Sequence, residues 1–226
     1  MHQVLENIVW EALSGAHQHF SAGNNLARRY APGFSLIVGF DDRTKPAFDV
    51  LAQVCSPGES FYTEGWSGIA PDGWSVDLES MMFKMIWEGK LPPEDPACNA
   101  IELGPEHAER ALELALLTNP GPFGIRTIEL GDYYGYFDGD RLMSMAGERF
   151  FAGSLREISG VCTHPDYQGR GMAKKLMIKL IRQEMLRDEI PFLHVMSANT
   201  HARGLYSRMG FRDYNESVVR VISRTA

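Results

Sequence analysis

The chain has 226 residues, a formal net charge of −7 and a composition that is 44% hydrophobic and 23% charged. These values point away from a disordered or membrane-embedded chain and fit one large domain or two small ones. The acidic balance argues against nucleic acid or an anionic membrane as a partner and mildly favours a cationic substrate.

Polar residues interrupt every apolar run in residues 1–20, so this segment lacks the continuous apolar core of a signal peptide. Val4, Leu5, Ile8, Val9, Ala12 and Leu13 recur at helical spacing and predict an amphipathic helix. A strand is predicted over residues 33–40, then a helix over 44–58 with Thr44 as its cap and Pro57-Gly58 as its stop. Residues 59–65 read as another strand. Residues 78–87 fit either a helix, through Leu78, Met81, Met82, Met85 and Ile86, or a short buried strand. The proline-rich, aperiodic residues 89–99 read as a linker, and a domain boundary is placed at 98/99.

Beyond the boundary, residues 100–103 predict a short strand and 104–121 a helix, with Pro105 in its first turn and Pro120-Gly121 at its end. Asp138-Gly139 marks a hairpin between two strand patterns within 132–148. A strand over 155–163 leads through a glycine loop into a helix whose apolar face is Met172, Ala173, Leu176, Met177, Leu180 and Ile181. A strand over 191–197, a helix over 201–210 stopped by Gly210, and a last strand over 216–222 follow. The simplest solution is an α/β chain with a mixed sheet flanked by helices. No run approaches the roughly 18 apolar residues of a membrane span. Cys55, Cys98 and Cys162 are odd in number, far apart and form no C-x-x-C pair, which predicts a reduced, cytoplasmic protein.

The stretch THPDYQGRGMA, residues 163–173, joins a strand to a long helix through two glycines. Glycine permits close approach of backbone to ligand, and a helix start offers unpaired N–H groups to an anion, so a phosphate cradle is expected. A P-loop is excluded because no G-x-x-x-x-G-K-[ST] run exists, and a dinucleotide loop because Lys174 stands where its third glycine belongs.

Gln168-Gly169-Arg170-Gly171-Met172-Ala173 matches the [QR]-x-x-G-x-[GA] pattern of the GNAT superfamily of N-acetyltransferases in its Q-G-x-G-x-A form. The chain resembles that superfamily also in EISGVCTHPDYQGRG, in PFLHV, in the N-x-x-A-x-x-x-Y pattern at Asn199, Ala202 and Tyr206, and in the closing Gly210-Phe211. The likeness covers most of residues 99–226. It implies the GNAT fold, a mixed and mostly antiparallel sheet flanked by helices, with residues 99–226 catalytic. Residues 1–98 are then an α/β region, either a degenerate copy of the same fold or a lid over the acceptor.

The resemblance assigns residues 168–173 to the pyrophosphate of acetyl-CoA, and Val161, Cys162 and Thr163 to its pantetheine arm. It makes Tyr206 the acid that protonates the departing thiolate, Glu157 the base, directly or through water, and Asn199 a contact to CoA. Plain structural roles stand beside these: core packing for Tyr206, a surface or ion-paired Glu157, and a helix cap for Asn199. Glu148 is a weaker candidate base. A Cys162–His164 acyl-enzyme is a rival disfavoured because Pro165 ends the strand. The expectation is transfer of an acetyl group from acetyl-CoA to a primary amine without a metal. A non-catalytic acyl-CoA-binding module is the alternative, and a homodimer is left open.

Overall fold

A computed structural model of the chain describes residues 2–225. The amphipathic start forms two short helices, α1 (His2–Glu6) and α2 (Ile8–Ser14). They break at Asn7, whose amide donates to the carbonyls of Phe40 (2.8 Å) and Asp41 (3.1 Å). Leu5, Ile8, Val9, Ala12 and Leu13 are all buried, as their spacing predicts.

A small antiparallel sheet of β1 (Ser21–Gly23), β2 (Ala27–Tyr30) and β3 (Val38–Phe40) comes next. The helix predicted over 44–58 is only one turn, α3 (Phe48–Leu51), and Thr44 does not cap it. Thr44 instead pairs with the carboxylate of Asp42, through N–H and hydroxyl, in a turn ahead of Pro46.

The main sheet has eight strands: β4 (Ser60–Glu64), β5 (Trp74–Trp87), β6 (Ile101–Glu102), β7 (Tyr133–Asp138), β8 (Arg141–Ala152), β9 (Leu155–Thr163), β10 (Ile190–Met196) and β11 (Phe211–Arg224). Their spatial order is β4-β11-β5-β10-β9-β8-β7-β6, and only the β9/β10 neighbours run parallel. The ambiguous residues 78–87 therefore belong to a strand. It lies inside the sheet between β10 and β11, which explains why apolar residues fall on both of its faces. The boundary read at 98/99 falls in the loop between β5 and β6, and strands from both sides of it share this sheet.

Helices cover both faces. On one, α1 and α2 pack on Ile86, Phe150, Leu155 and Phe192. On the other, α5 (Met172–Leu186) and α6 (Thr200–Met209) pack on Met85, Leu193, Val195 and Phe211, with Leu176, Met177, Leu180 and Ile181 fully buried as the 3.6 period demands. α4 (Ala108–Thr118) lies on β8 and β9 and ends at Asn119 in the left-handed conformation, just before Pro120. No helix among the described residues is long and apolar enough to cross a membrane.

Candidate active site

The strands β9 and β10 pair only at Leu155–Ile190, Arg156–Pro191 and Glu157–Phe192, and then part. On its other side β9 stays on β8, with Cys162 opposite Met145 and Ser159 opposite Gly147, so β9 spends one residue more than β8 over this step. Gly160 lies within that bulge at φ +62°, a conformation that favours glycine. A bulge bends its strand, and here it accompanies the opening between β9 and β10. Past Glu157 the β10-facing edge of β9 has no ladder partner.

A groove of about 600 Å³ runs along this region, bordered by Val161, Cys162 and Thr163, by residues 168–174, by Asn199, Ala202 and Tyr206, and by Thr118, Asn119 and Pro120. The structure thus brings together every residue expected to hold the donor. Gly169 and Gly171 sit at φ +75° and +74°, and a Cβ on either would meet nothing within 4 Å. They serve conformation and openness rather than packing. The first α5 amide with a backbone partner is Lys175, which donates to the Gly171 carbonyl at 3.1 Å. The N–H groups of residues 169–174 have no partner among the described residues. A row of free donors at the start of a 15-residue helix suits an anion. The loop is braced from behind, since Arg170 donates to the Asp166 carbonyl at 3.2 Å and lies over the Tyr167 ring, whose hydroxyl donates to Asp138 at 2.7 Å.

The remaining predicted residues divide. Asn199 caps α6, its side-chain oxygen accepting from the Ala202 N–H at 3.1 Å, and it also borders the groove. Tyr206 is half-buried on α6 beside Phe211, borders the groove, and its hydroxyl has no hydrogen-bond partner among the described residues. Burial pushes this phenol up to about 12, so it holds its proton throughout the neutral range. Burial likewise pushes the Cys162 thiol up to about 11, and the neighbouring His164 ring accepts from the Asp166 N–H at 3.2 Å. The thiolate that an acyl-enzyme would need is thereby suppressed. Glu148 is buried and engaged by Arg187, by Arg156 at 3.6 Å and by the Asp132 N–H at 3.3 Å.

Glu157, the last residue of β9 paired with β10, is 1% exposed, and both its oxygens are engaged. Arg149 on β8 donates twice, at 2.7 and 2.8 Å; the Phe150 N–H stands at 3.3 Å; His194 on β10 contacts Oε1 through Nδ1 at 2.7 Å. Burial opposes the charge, but Arg149 and then His194 outweigh it and hold this carboxyl at about 2.

The same face carries more charge. Glu64 of β4 pairs with Lys84 of β5 at 2.7 Å and accepts from the Ser217 hydroxyl of β11 at 2.5 Å. Lys84, fully buried, also donates to the Glu6 carbonyl at the end of α1, at 3.1 Å. His194 Nε2 stands 3.7 Å from Glu64, an ion-pair distance too long for a hydrogen bond. Six adjacent strands thus contribute one polar side chain each to a belt in the order Glu64, Ser217, Lys84, His194, Glu157, Arg149. Sequence reasoning found only Glu157 of these. The available signals were single charged or polar residues inside apolar strands, Lys84 in MMFKMIW and His194 in PFLHVM. A cleft of about 60 Å³ lies on the belt, bordered by Glu64, Arg149 and His194 and by apolar residues that include Val9, Ile37, Phe150 and Val219. Pro122 borders this cleft and Pro120 the groove, so one loop runs between the two. Among the described residues no group of three or more His, Cys, Asp or Glu could hold a metal ion.

Residues 133–221 match the family model described as FR47-like protein. Among solved structures, a protein from Novosphingobium aromaticivorans assigned to the GNAT family of acetyltransferases is 30% identical, with TM-score 0.86, over 98% of this chain and 99% of that one. A GCN5-related N-acetyltransferase from Kribbella flavida (12% identity, TM-score 0.62, 97% and 96% covered) and a GCN5-related N-acetyltransferase-like protein from Streptococcus suis (14%, 0.61, 98% and 97%) share the fold. Among curated proteins none matches the chain.

The belt makes a prediction about stability. Lys84→Met removes the ammonium from a buried pair and leaves the Glu64 carboxylate without its cation, which costs about 3–5 kcal/mol. At about 2–4 °C per kcal/mol for a chain of this size, the melting temperature falls by about 10 °C. An unchanged melting curve contradicts the pairing.

Proposed function

Because the chain belongs to the GNAT family of acetyltransferases, we propose that it moves the acetyl group of acetyl-CoA to a primary amine, in a small molecule or a peptide, by direct attack in a ternary complex. The observation that carries this reading is one continuous groove that joins the free N–H groups of the glycine loop, the unpaired edge of β9 and Tyr206. The diphosphate of the donor suits the loop, through dipole and hydrogen bonds together. Its amide-bearing pantetheine arm suits the open edge at Val161, Cys162 and Thr163, as an added strand would. A backbone N–H at the split is then available to polarise the thioester carbonyl.

In the transfer, a neutral amine attacks the carbonyl carbon, the carbon–sulfur bond breaks, and the sulfur needs a proton. Tyr206 is the group we assign to supply it: it borders the groove, carries a proton at neutral pH, and has a hydroxyl with no hydrogen-bond partner among the described residues. The amine must shed a proton as well. An α-amino group with a pKa of about 8 is roughly a tenth neutral near pH 7, whereas a lysine-like amine with a pKa of about 10.4 is under a thousandth neutral, so a base matters most for the second class. A reducing compartment such as the cytoplasm suits the free thiols of Cys55, Cys98 and Cys162.

Thiol release from acetyl-CoA in the presence of a panel of amines tests the reading. Release that depends on the amine, with the N-acetylated product seen by mass spectrometry, is expected; binding of acetyl-CoA without release for any amine contradicts it and leaves an acyl-CoA-binding module. Gly171→Val places a β-branched residue at φ +74° in the loop, straining it by about 1–3 kcal/mol. It is expected to abolish acetyl-CoA binding by calorimetry while the protein stays folded; a folded variant that binds normally contradicts the cradle. Tyr206→Phe keeps the ring and removes its proton, and is expected to lower kcat by about 10²-fold or more at saturating acetyl-CoA with an unchanged melting temperature. A variant within about twofold of the parent contradicts the acid role.

A further inference from the structure

We propose that His194, rather than Glu157, accepts the proton of the attacking amine, and that Glu157 acts through it as a positioning residue. This rests on the acetyl-transfer reading above. Glu157 is badly placed to take a proton itself, because its two oxygens already accept from Arg149, His194 and the Phe150 N–H. A proton arriving there would have to displace a buried, bidentate arginine.

His194 has the complementary geometry. Its Nδ1 lies 2.7 Å from an ionised carboxylate that can only accept, so in the neutral ring Nδ1 carries the hydrogen and Nε2 the lone pair. Nε2 is buried and has no hydrogen-bond partner among the described residues. An unpartnered buried nitrogen costs free energy unless a ligand uses it. The residue stands two positions past Phe192, where β10 leaves β9, and it borders the cleft on the belt face. An amine bound in this cleft would lie against His194, two residues past the point where β9 and β10 part.

The electrostatics suit the role. Burial alone would lower the pKa of this histidine, but Glu157 and Glu64 outweigh it and raise it. The charged groups around the ring are Glu157 and Glu64 on one side of the balance and Lys84 and Arg149 on the other, while Phe150 and Phe192 close its edges. With Glu64, Glu157, Lys84 and Arg149 charged the group is neutral overall, so a neutral imidazole adds no net charge and a transient imidazolium has two carboxylates beside it. The step balances simply. The acceptor's ammonium gives one proton to Nε2 of His194, the amine nitrogen so freed bonds to the acetyl carbon, the carbon–sulfur pair stays on sulfur, the sulfur takes the Tyr206 proton, and the second nitrogen proton leaves to solvent. Exchange with solvent then restores both side chains.

The test uses the full-length protein, acetyl-CoA and two acceptors, an α-amino peptide amide and a lysine-like alkylamine, over a range of pH. His194→Gln is expected to lower kcat by about 10²-fold or more for the alkylamine and much less for the α-amine, with acetyl-CoA affinity unchanged by calorimetry. In the parent, kcat/KM should rise with pH along an acid limb at the same position for both acceptors, because that limb reports loss of the His194 proton; the glutamine variant should lack it. A folded variant that turns over both amines within about twofold of the parent and keeps the limb overturns the proposal. If the variant does not fold, the parent decides: a limb that moves wholly with the pKa of the acceptor overturns it. A parent that releases no thiol with any amine overturns the transfer reading itself, and this inference with it.

Discussion

A carboxylate buried where two strands separate has to be neutralised from both sides, and the contacts of Glu157 set the geometry of the whole site. Removing an ion from water costs several kcal/mol unless partners replace the solvent. Here Arg149 reaches it from β8 and His194 from β10, so the two strands that flank β9 are tied to the same side chain at the last point of β9/β10 pairing. Beyond that tie the bulge at Gly160 takes over and β9 and β10 diverge. The opening in the sheet is thus anchored at its base by charge and widened above by backbone conformation.

The belt needs a roof, and the first ninety residues provide it. Val9 of α2 and Ile37 border the cleft, and Lys84 ties the end of α1 to Glu64. Excluding water from this face strengthens each pairing along the belt. The N-terminal segment is therefore part of the electrostatics of the site: Glu64 and Lys84, on β4 and β5, continue the row that His194, Glu157 and Arg149 form on the other strands. The groove on the glycine-loop side is built differently. There the groove is made largely by backbone, with N–H groups that have no partner among the described residues and glycines at positive φ, and its charged side chains, Arg170 and Lys174, are exposed. The groove and the belt are thus two surfaces of different character.

What was legible in the sequence was what is local. The hairpin at Asp138-Gly139, the face of α5 and the glycine loop each depend on a few consecutive residues, and each formed as its spacing demands. The Gly139 φ of +57° and the φ values of Gly169 and Gly171 are the conformations such residues predict. Residues 78–87 were ambiguous because alternation is lost where Lys84, Met85 and Ile86 are buried in succession on both faces, and because the strand's partners lie over 100 residues away in β10 and β11. The helix expected at 44–58 shrank to one turn, since Asp42 captured the would-be cap Thr44. The belt was invisible for a related reason. Glu64, Lys84, Arg149 and His194 come from separate strands and share no motif, so only the sheet order brings them to Glu157.

Nuclear magnetic resonance of the protein with ¹⁵N-labelled histidine reads the tie between Glu157 and His194 directly. The account predicts that, on the alkaline side of its titration, His194 is the tautomer with hydrogen on Nδ1 and a bare Nε2, and that Nε2 gains its proton as the pH falls. A His194 that carries its hydrogen on Nε2 when neutral, or that shows no titration, would contradict it.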